Sequence, residues 1–521
     1  MNHQKKIVWT ISAASIYAIT IAVTIGLFVK LIGIDMLPTK YLGLAIGVAV
    51  LLLLLILACF FFLRVKKNKY LTYLIRALGI VLVAAIVTVD VVGIQMITKF
   101  EETMENLVEE EPEYKGDKED EPVKIEEHII GVFVRADDKA ENLVDTKRYD
   151  YAYSFSYDRI NTRQGINVIE NELNYKLEME EYRDVFYMVD RVLDGEKDAF
   201  VLNTAYLDIL IDQEGYEDVM DKLKCVYECT VTAETNVPEK EEVPFDITKD
   251  TFIVYISGHD TTLATKRANS DVNILAVVNP STKQVLLINT PRDSYVKISV
   301  SEDGALDKLT HCGTYGVECS MDTLGELYDI DINYYAQLNF KGFVQLIDAL
   351  GGINVYSEKD FYSTSKGIFI PKGNSHLDGA AALEFVRERK QFSGGDRMRG
   401  RHQMEVIKGI ISKVSSGSLL KNYNKVLDSM GGYFKCSLPQ EDISALVKMQ
   451  LEDLSTWNVQ LYAVNGTGDN KTSYSLPNLS TYVLQLDSAT IDHAKTLIDK
   501  VYEGEVIEEE DLVLPEGNWN N

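Results

Sequence analysis

The chain has 521 residues, with 79 Asp+Glu against 52 Lys+Arg and a formal net charge of −27. That length excludes a single ordinary domain, and the acidic balance argues against nucleic acid as a partner. Hydrophobic content of 46% is ordinary but very unevenly spread.

Three mostly apolar runs come first, Ile7 to Val29, Tyr41 to Leu63 and Leu78 to Ile97. Each has about 20 residues or more, enough to cross a bilayer as a helix. No small-residue cleavage site follows the first run, so it reads as a span and not as a removed signal. Lys5 and Lys6 precede the first span, and Arg64, Lys66, Lys67 and Lys69 lie between the second and third. Positive flanks stay inside, which puts the N-terminus in the cytoplasm and everything after Ile97 outside the cell. Asp90, within the third span, is expected to face a partner helix or the interface, and no chemistry is assigned to it.

Beyond the spans (residues 1–100), the Glu-rich stretch 101–124 reads as a solvated acidic linker. A second Pro- and Glu-rich seam, 234–250, leaves an accessory domain over 125–233, of α/β or α+β class. It opens with a strand at Ile129–Val134, has a helix around Tyr182–Leu193 and a buried strand at Ala199–Leu202, and offers no chemical constellation. A catalytic domain is expected over 251–505, with an acidic tail at 506–521. Strand patterns at Phe252–Ser257, Val272–Val278 and Gln284–Asn289 open it, the last two joined by a hairpin turn. Helices follow at Asp322–Tyr328, with Ser320 as a candidate cap, and at Phe340–Leu350, which Gly351 and Gly352 stop. A strand at Ile353–Tyr356 and a long amphipathic helix from Arg397 to Val414 complete an α/β domain of layered α-β-α type with a mixed sheet. The apolar stripe of that helix (Met404, Ile407, Ile411, Val414) reads first as core and second as the lining of a lipid tunnel. Cys225/Cys229 and Cys312/Cys319 are close pairs outside the membrane, where one or both can bridge; their spacing does not make a zinc framework.

Strand geometry gathers charge. If the first three strands run antiparallel, Asp260, Asp271, Arg292 and Asp293 meet at one sheet edge. Two carboxylates beside arginines suit a divalent cation bridging to phosphate oxygens, most simply Mg²⁺. One at a time, each of these carboxylates is more simply an ordinary loop-end residue.

In this acidic chain the run Arg387-Glu-Arg389-Lys390 and Gly395-Asp396-Arg397-Met-Arg399-Gly-Arg401 is a local reversal of charge. Guanidinium forks grip phosphate oxygens two at a time. In an extended chain Arg387 and Arg389 point the same way. Asp396 is placed to cap the following helix, with Arg399 and Gln403 on one face of it. Arg397 and Arg401 face elsewhere, toward solvent or acids. His259, His311 and His402 lie near these motifs but read as hydrogen-bonded structural residues.

Taken in order, Ser270-Asp-Val-Asn-Ile274, Asn279-Pro280, Thr290-Pro-Arg-Asp293, Asp307-Lys-Leu-Thr-His311, Ile332-Asn-Tyr-Tyr335, Leu350-Gly-Gly-Ile353, Arg387-x-Arg389 and Gly395-Asp396-x-x-Arg399-x-x-x-Gln403 resemble the LytR–CpsA–Psr cell-wall ligases. The resemblance covers about half of the chain, and the spans and middle domain look like the capsule-type branch. It implies a phosphotransferase that moves a glycopolymer from polyprenyl pyrophosphate to the muramic acid 6-hydroxyl of peptidoglycan. It assigns pyrophosphate binding to Arg292, Arg387, Arg389 and Arg399, Mg²⁺ to Asp260 and Asp271, and support to Asp396 and Gln403. Arg267, Lys308 and Asp293 are carried as further substrate-binding positions, and Asp260 or Asp293 as the base. It also implies a fold that buries the polyprenyl chain between sheet and helices. Many members carry Arg where this chain has Asn269, so Arg267 is the candidate replacement. Capsule, teichoic acid and other wall glycans share the same pyrophosphate end. Expected partners are therefore a polyprenyl-pyrophosphate-linked glycan, peptidoglycan and membrane lipid. A sensor that binds such precursors without turnover is the alternative reading, and a phosphatase that uses water as acceptor is a third.

Overall fold

The computed structural model describes residues 3–514 apart from 64–67, 109–122, 155–157, 212, 214, 217, 237–244, 260–267, 302–303, 393–395, 417–424 and 430–432. Three helices, α1 (His3–Ile34), α2 (Thr39–Leu57) and α3 (Lys69–Leu107), are long and apolar enough to cross a membrane. Asp90 of α3 is buried against α1, where the Thr24 hydroxyl donates to its carboxylate at 2.5 Å. Helix packing therefore accounts for it.

At 39 residues α3 is about 58 Å long, well beyond the roughly 30 Å of a hydrocarbon core. Its last turns do not form the solvated linker expected from residue 101 onward. Phe100, Met104 and Leu107 are buried in a cluster with Leu427 and Cys436. Val108 then bridges to Cys436, at the edge of the six-stranded sheet. The charged face of this stretch hides an apolar stripe at helical spacing, which the Glu-rich composition masked.

The accessory domain is a five-stranded mixed sheet in the order β3-β2-β4-β1-β5. Its strands are β1 (Val123–Arg135), β2 (Asp150–Tyr153), β3 (Glu178–Glu181), β4 (Ala199–Asn203) and β5 (Leu223–Asn236). Helices α4 (Arg159–Leu173) and α5 (Val185–Leu193) lie on opposite faces, α4 in a cluster with Ile130 and Val132 and α5 in one with Phe133 and Phe200. Short helices α6 (Leu207–Ile211) and α7 (Val219–Lys222) precede β5.

The sheet of the C-terminal domain has six strands in the order β16-β11-β6-β7-β8-β17. Its centre is β6 (Phe252–His259), β7 (Val272–Asn279) and β8 (Gln284–Asn289), antiparallel to one another with Gly258 opposite Val272 and Ile274 opposite Asn289. Between β8 and β11 lie a small hairpin, β9 (Tyr295–Lys297) with β10 (Leu306–Lys308), and helices α8 (Leu309–Tyr315) and α9 (Val317–Tyr328). Strand β11 (Tyr334–Asn339) joins β6 in parallel and leads into α10 (Phe340–Leu350), which Gly351 ends at φ +78. Then come β12 (Ile353–Ser357), β13 (Phe361–Tyr362), β14 (Phe369–Ile370), β15 (Gly373–Leu377), α11 (Gly379–Arg387), α12 (Asp396–Ser415), β16 (Phe434–Cys436) and α13 (Gln440–Asp453). Strand β17 (Asn458–Ala463) runs parallel to β8, and β18 (Gly466–Lys471), β19 (Thr481–Leu486) and α14 (Ser488–Tyr502) close the domain.

Both faces of β7 are buried, as a three-layer arrangement requires. Leu275 and Val277 pack against α9 and α14 through Leu324, Tyr328, Leu497 and Val501. Ile274 and Ala276 pack against Met404 and Ile407 of α12. The fold is α/β with layers α-β-α.

Three expectations fail in detail. Ser320 lies inside α9, whose N-cap is Gly316, because Val317 and Cys319 extend the apolar face one turn earlier. The expected tail is partly docked, with Ile507 buried and its N–H bonded to Gln284. All six cysteines are free thiols, and Cys225 and Cys229 sit along one strand.

Candidate functional site

The antiparallel register brings the exit of β6, the entrance of β7 and the exit of β8 to one edge, as strand geometry predicts. Asp271 and Arg292 form a direct ion pair there, 22% and 16% exposed. Next to it Asp293 pairs with Lys308 at 3.3 Å, and both are about as shielded (16% and 15%). A buried polar layer supports this edge. The Tyr255 hydroxyl donates to Asn273 at 2.7 Å and lies 2.9 Å from the Ser270 hydroxyl, while Asn273 Nδ2 donates to the Ser270 carbonyl. These bonds fix the residue before Asp271 without exposing an unsatisfied group.

The Asp307-to-His311 motif is structural. Asp307 is fully buried and accepts from His311 Nδ1 at 2.7 Å and from the Ser475 N–H at 2.9 Å. Burial alone would push its carboxyl up, but His311 and the serine donors outweigh burial and hold it below the usual carboxylate range. Asp307 Oδ1 also accepts the Lys308 backbone N–H at 2.7 Å, which places Lys308 beside Asp293.

The arginines arrive from helices. Arg387 is the last residue of α11 and its guanidinium lies over the Phe340 ring at 4.9 Å, at the exit of β11. The extended pairing expected for Arg387 and Arg389 is thus replaced by a helix end, because Ala380-Ala-Ala-Leu-Glu favours helix up to that point. Only from Glu388 is the backbone extended, and Arg389 beyond it is exposed. Helix α12 begins at Asp396 itself, so its cap position falls on residue 395, outside the described residues. A Cβ on Gly400 would meet the Asn289 side chain at 2.3 Å, so the first turns of α12 sit tightly on the exit of β8. That contact brings the backbone of Arg399, next in sequence, close to the same edge, with Gln403 one turn further along the helix. Across β11, β6, β7 and β8 the arginine-bearing elements span three strand spacings, about 14 Å, with Asp271 in the middle. Arg397 is exposed and Arg401 pairs with Glu358 at 2.9 Å, as their helix faces imply. Asp260 and Arg267 lie outside the described residues, and so does the side chain of Asp396.

The far end of the same sheet is apolar. A cavity of about 380 Å³ opens between Phe252, Val254, Ala276, Val278 and Val285 on the strands and helices α12 and α13. Ile411 and Val414 line it, while Met404 is buried core. The stripe read first as core is therefore core at one end and cavity wall at the other.

His402 is the hydrogen-bonded structural residue expected, but sequence reasoning did not give its partners or those of Asn269. His402 is buried, stacks on Phe385 at 4.1 Å and donates from Nδ1 to the Phe385 carbonyl at 3.1 Å, joining α12 to the last turn of α11. Glu358 lies 3.6 Å from His402 Nε2; its burial would raise the carboxyl, but His402 and Arg401 hold it below its usual range. Asn269 is likewise buried and bonded to Asp208 and Thr314. Single histidines and asparagines carry no periodic signal, so only coordinates place them.

Residues 210–495 match the model of the LytR_cpsA_psr family, more than half of the chain. The chain belongs to that family. Among curated members, the polyisoprenyl-teichoic acid–peptidoglycan teichoic acid transferase TagT of Bacillus subtilis is 31% identical over 262 residues, 48% of this chain and 77% of TagT. The TagU of Enterococcus faecalis is 33% identical over 257 residues, covering 49% and 80%. The TagU of Bacillus cereus is 35% identical over 183 residues, where the chain spans 59% of that relative. The solved structure of TagT bound to LI-WTA aligns with half of this chain and 94% of its own at 29% identity, with a TM-score of 0.41. The family match begins at residue 210, so α1–α3 and most of the accessory sheet lie outside it.

Of the two carboxylates expected to hold a divalent cation, Asp271 is the one within the described residues. One of its oxygens is engaged by Arg292, and no group of three or more His, Cys, Asp or Glu side chains is placed to hold a metal among the described residues. Mg²⁺ needs only one or two carboxylates when substrate phosphates and waters complete its shell. Asp271 fits an ion that arrives with a phosphate, and does not by itself make an all-protein cage.

Proposed function

We propose that this chain is a membrane-anchored phosphotransferase, with its catalytic domain outside the cell, that moves a glycopolymer from a polyprenyl pyrophosphate to the muramic acid 6-hydroxyl of peptidoglycan. The observation that carries this reading is the division of one sheet. Cations gather at one edge, and an apolar cavity under α12 opens at the other. Family membership and the named relatives support it.

In this reading Arg292, Arg387, Arg389 and Arg399 take the diphosphate oxygens, with Lys308 beside them and Gln403 as a neutral donor. Asp271 holds Arg292 at the rim, so the guanidinium is oriented before substrate arrives. The acceptor oxygen forms a bond to the glycan-side phosphorus, the bond from that phosphorus to the bridging oxygen breaks, and polyprenyl monophosphate leaves. The acceptor proton passes to a rim carboxylate, Asp260 or Asp293. Asp271 and Asp260 would hold Mg²⁺, which supplies charge neutralisation on the phosphates. Any glycan linked through this diphosphate presents the same end to the rim, teichoic acid and capsule included.

The test is transfer of a lipid-linked glycan to peptidoglycan by the detergent-solubilised chain. Asp271→Ala should abolish it in protein that remains folded, and full activity in that variant would remove the site. A sensor would bind the same lipid without consuming it, so release of polyprenyl monophosphate separates the two readings.

A further inference from the structure

The segment that delivers Asp271 is held residue by residue. The Asp271 N–H donates to the Gly258 carbonyl of β6 at 2.9 Å, and the Ser270 N–H donates to the Thr310 carbonyl of α8 at 2.9 Å. The Asn269 N–H does something different. It donates to the Asp208 carboxylate at 3.1 Å, and Asn269 Nδ2 donates to the Asp208 carbonyl at 3.3 Å. Asp208 belongs to α6, in the accessory domain. The other end of the Asn269 amide accepts from the Thr314 hydroxyl of α8 at 3.1 Å, so one side chain joins the two domains two residues before Asp271.

Packing explains why the tie holds. A Cβ on Gly313 would meet the Ala268 carbonyl oxygen at 2.2 Å, so α8 presses directly on this segment. Around it the accessory domain docks through an apolar cluster in which Tyr206, Leu207 and Leu210 pack with Leu476 of the catalytic domain. Tyr206 meets Tyr315 edge-on at 6.1 Å, and the Tyr315 hydroxyl lies 3.0 Å from Ser475, the residue that also bonds Asp307. Domains joined by small polar surfaces move relative to one another by default, whereas a cluster with a charged hydrogen bond at its centre fixes their relation.

We propose that the accessory domain is a working part of the site, and that Asp208 is a positioning residue which fixes Asn269 and, through it, the Asp271 carboxylate against Arg292. The catalytic half of this inference rests on the phosphotransferase reading above. Amide hydrogen exchange of the full chain in detergent tests the positioning itself. In Asp208→Ala the peptide covering 268–272 should exchange about tenfold faster, as loss of a hydrogen bond to a charged acceptor implies, while β1 and β4 keep their protection. Asp208→Asn, whose amide oxygen accepts the same N–H, should stay within about twofold of the unaltered chain. Should Asp208→Ala loosen the accessory strands as well, Asn269→Ala, which alters only the catalytic side, decides by the same peptide. In the transfer assay Asp208→Ala should lower kcat about tenfold, Asp208→Asn should restore it, and Asp208→Ala combined with Asn269→Ala should be no worse than either alone. Unchanged exchange at 268–272 in both alanine variants, or an asparagine variant as impaired as the alanine one, overturns the inference. An unaltered chain that transfers nothing counts against the proposed function, and the exchange result then decides this inference alone.

Discussion

The two ends of the six-stranded sheet are built from the same three strands and have opposite chemistry. At the β6 exit, β7 entrance and β8 exit, the side chains are Asp271, Arg292, Asp293 and Lys308, joined from above by the helix ends that carry Arg387 and Arg399. At the other end, Phe252, Val278 and Val285 face Ile411 and Val414 across a cavity. Helix α12 carries both characters, cationic in its first turns and apolar in its last. The difference teaches that the length of a strand separates a charged environment from an apolar one, the two that the proposed function asks of this site for a diphosphate and for a chain.

The comparison breaks most severely at the charged end. Arg387→Ala should lower transfer by about 10²–10³-fold, the usual cost of removing a preorganised donor, with little change in melting temperature. Undiminished kcat/KM in that variant would show that the rim is not where charge develops. Asp307→Asn attacks the scaffold beneath the rim. Replacing one partner of a buried pair should cost about 3 kcal/mol of stability, read by denaturant unfolding. The same carboxyl gives a pH signature. Its folded pKa lies below its unfolded one, so its contribution is present above about pH 4 and is lost as pH falls through the lower folded value. Asp307→Asn should therefore flatten the acid limb of the stability curve, and an unaltered limb would remove Asp307 from this role.

Smaller effects sharpen the apolar side. Ile411→Trp narrows the cavity and should raise KM for a long polyprenyl substrate about tenfold while sparing a short-chain analogue. Equal losses on both lengths would mean that the cavity wall does not read the chain. Arg397→Ala should leave transfer within about twofold, since that arginine is exposed on another helix face. A large loss there would show that the helix presents charge on more than one side.

Much of the fold was legible because its signals are periodic. Strands β6 to β8 and helix α10 follow directly from runs such as Gln284–Asn289 and Phe340–Leu350, and the antiparallel argument placed Asp271 beside Arg292. What stayed hidden has a common cause. Arg387 ends a helix and not a strand because local helix propensity outlasts the basic run. Residues 101–107 continue α3 because tertiary packing of Met104 and Leu107 overrides an acidic composition. Asp208, Asn269 and His402 act through contacts between distant segments, and such contacts leave no spacing to read.

The direct test of the divided sheet is photocrosslinking with a polyprenyl pyrophosphate that carries its reactive group at the far end of the chain. Peptide mapping should find adducts on the last turns of α12 and on α13, around Ile411, Val414 and Leu446, and Arg387→Ala should weaken their yield by weakening lipid capture. Adducts confined to α1–α3 or to the accessory sheet would contradict the account.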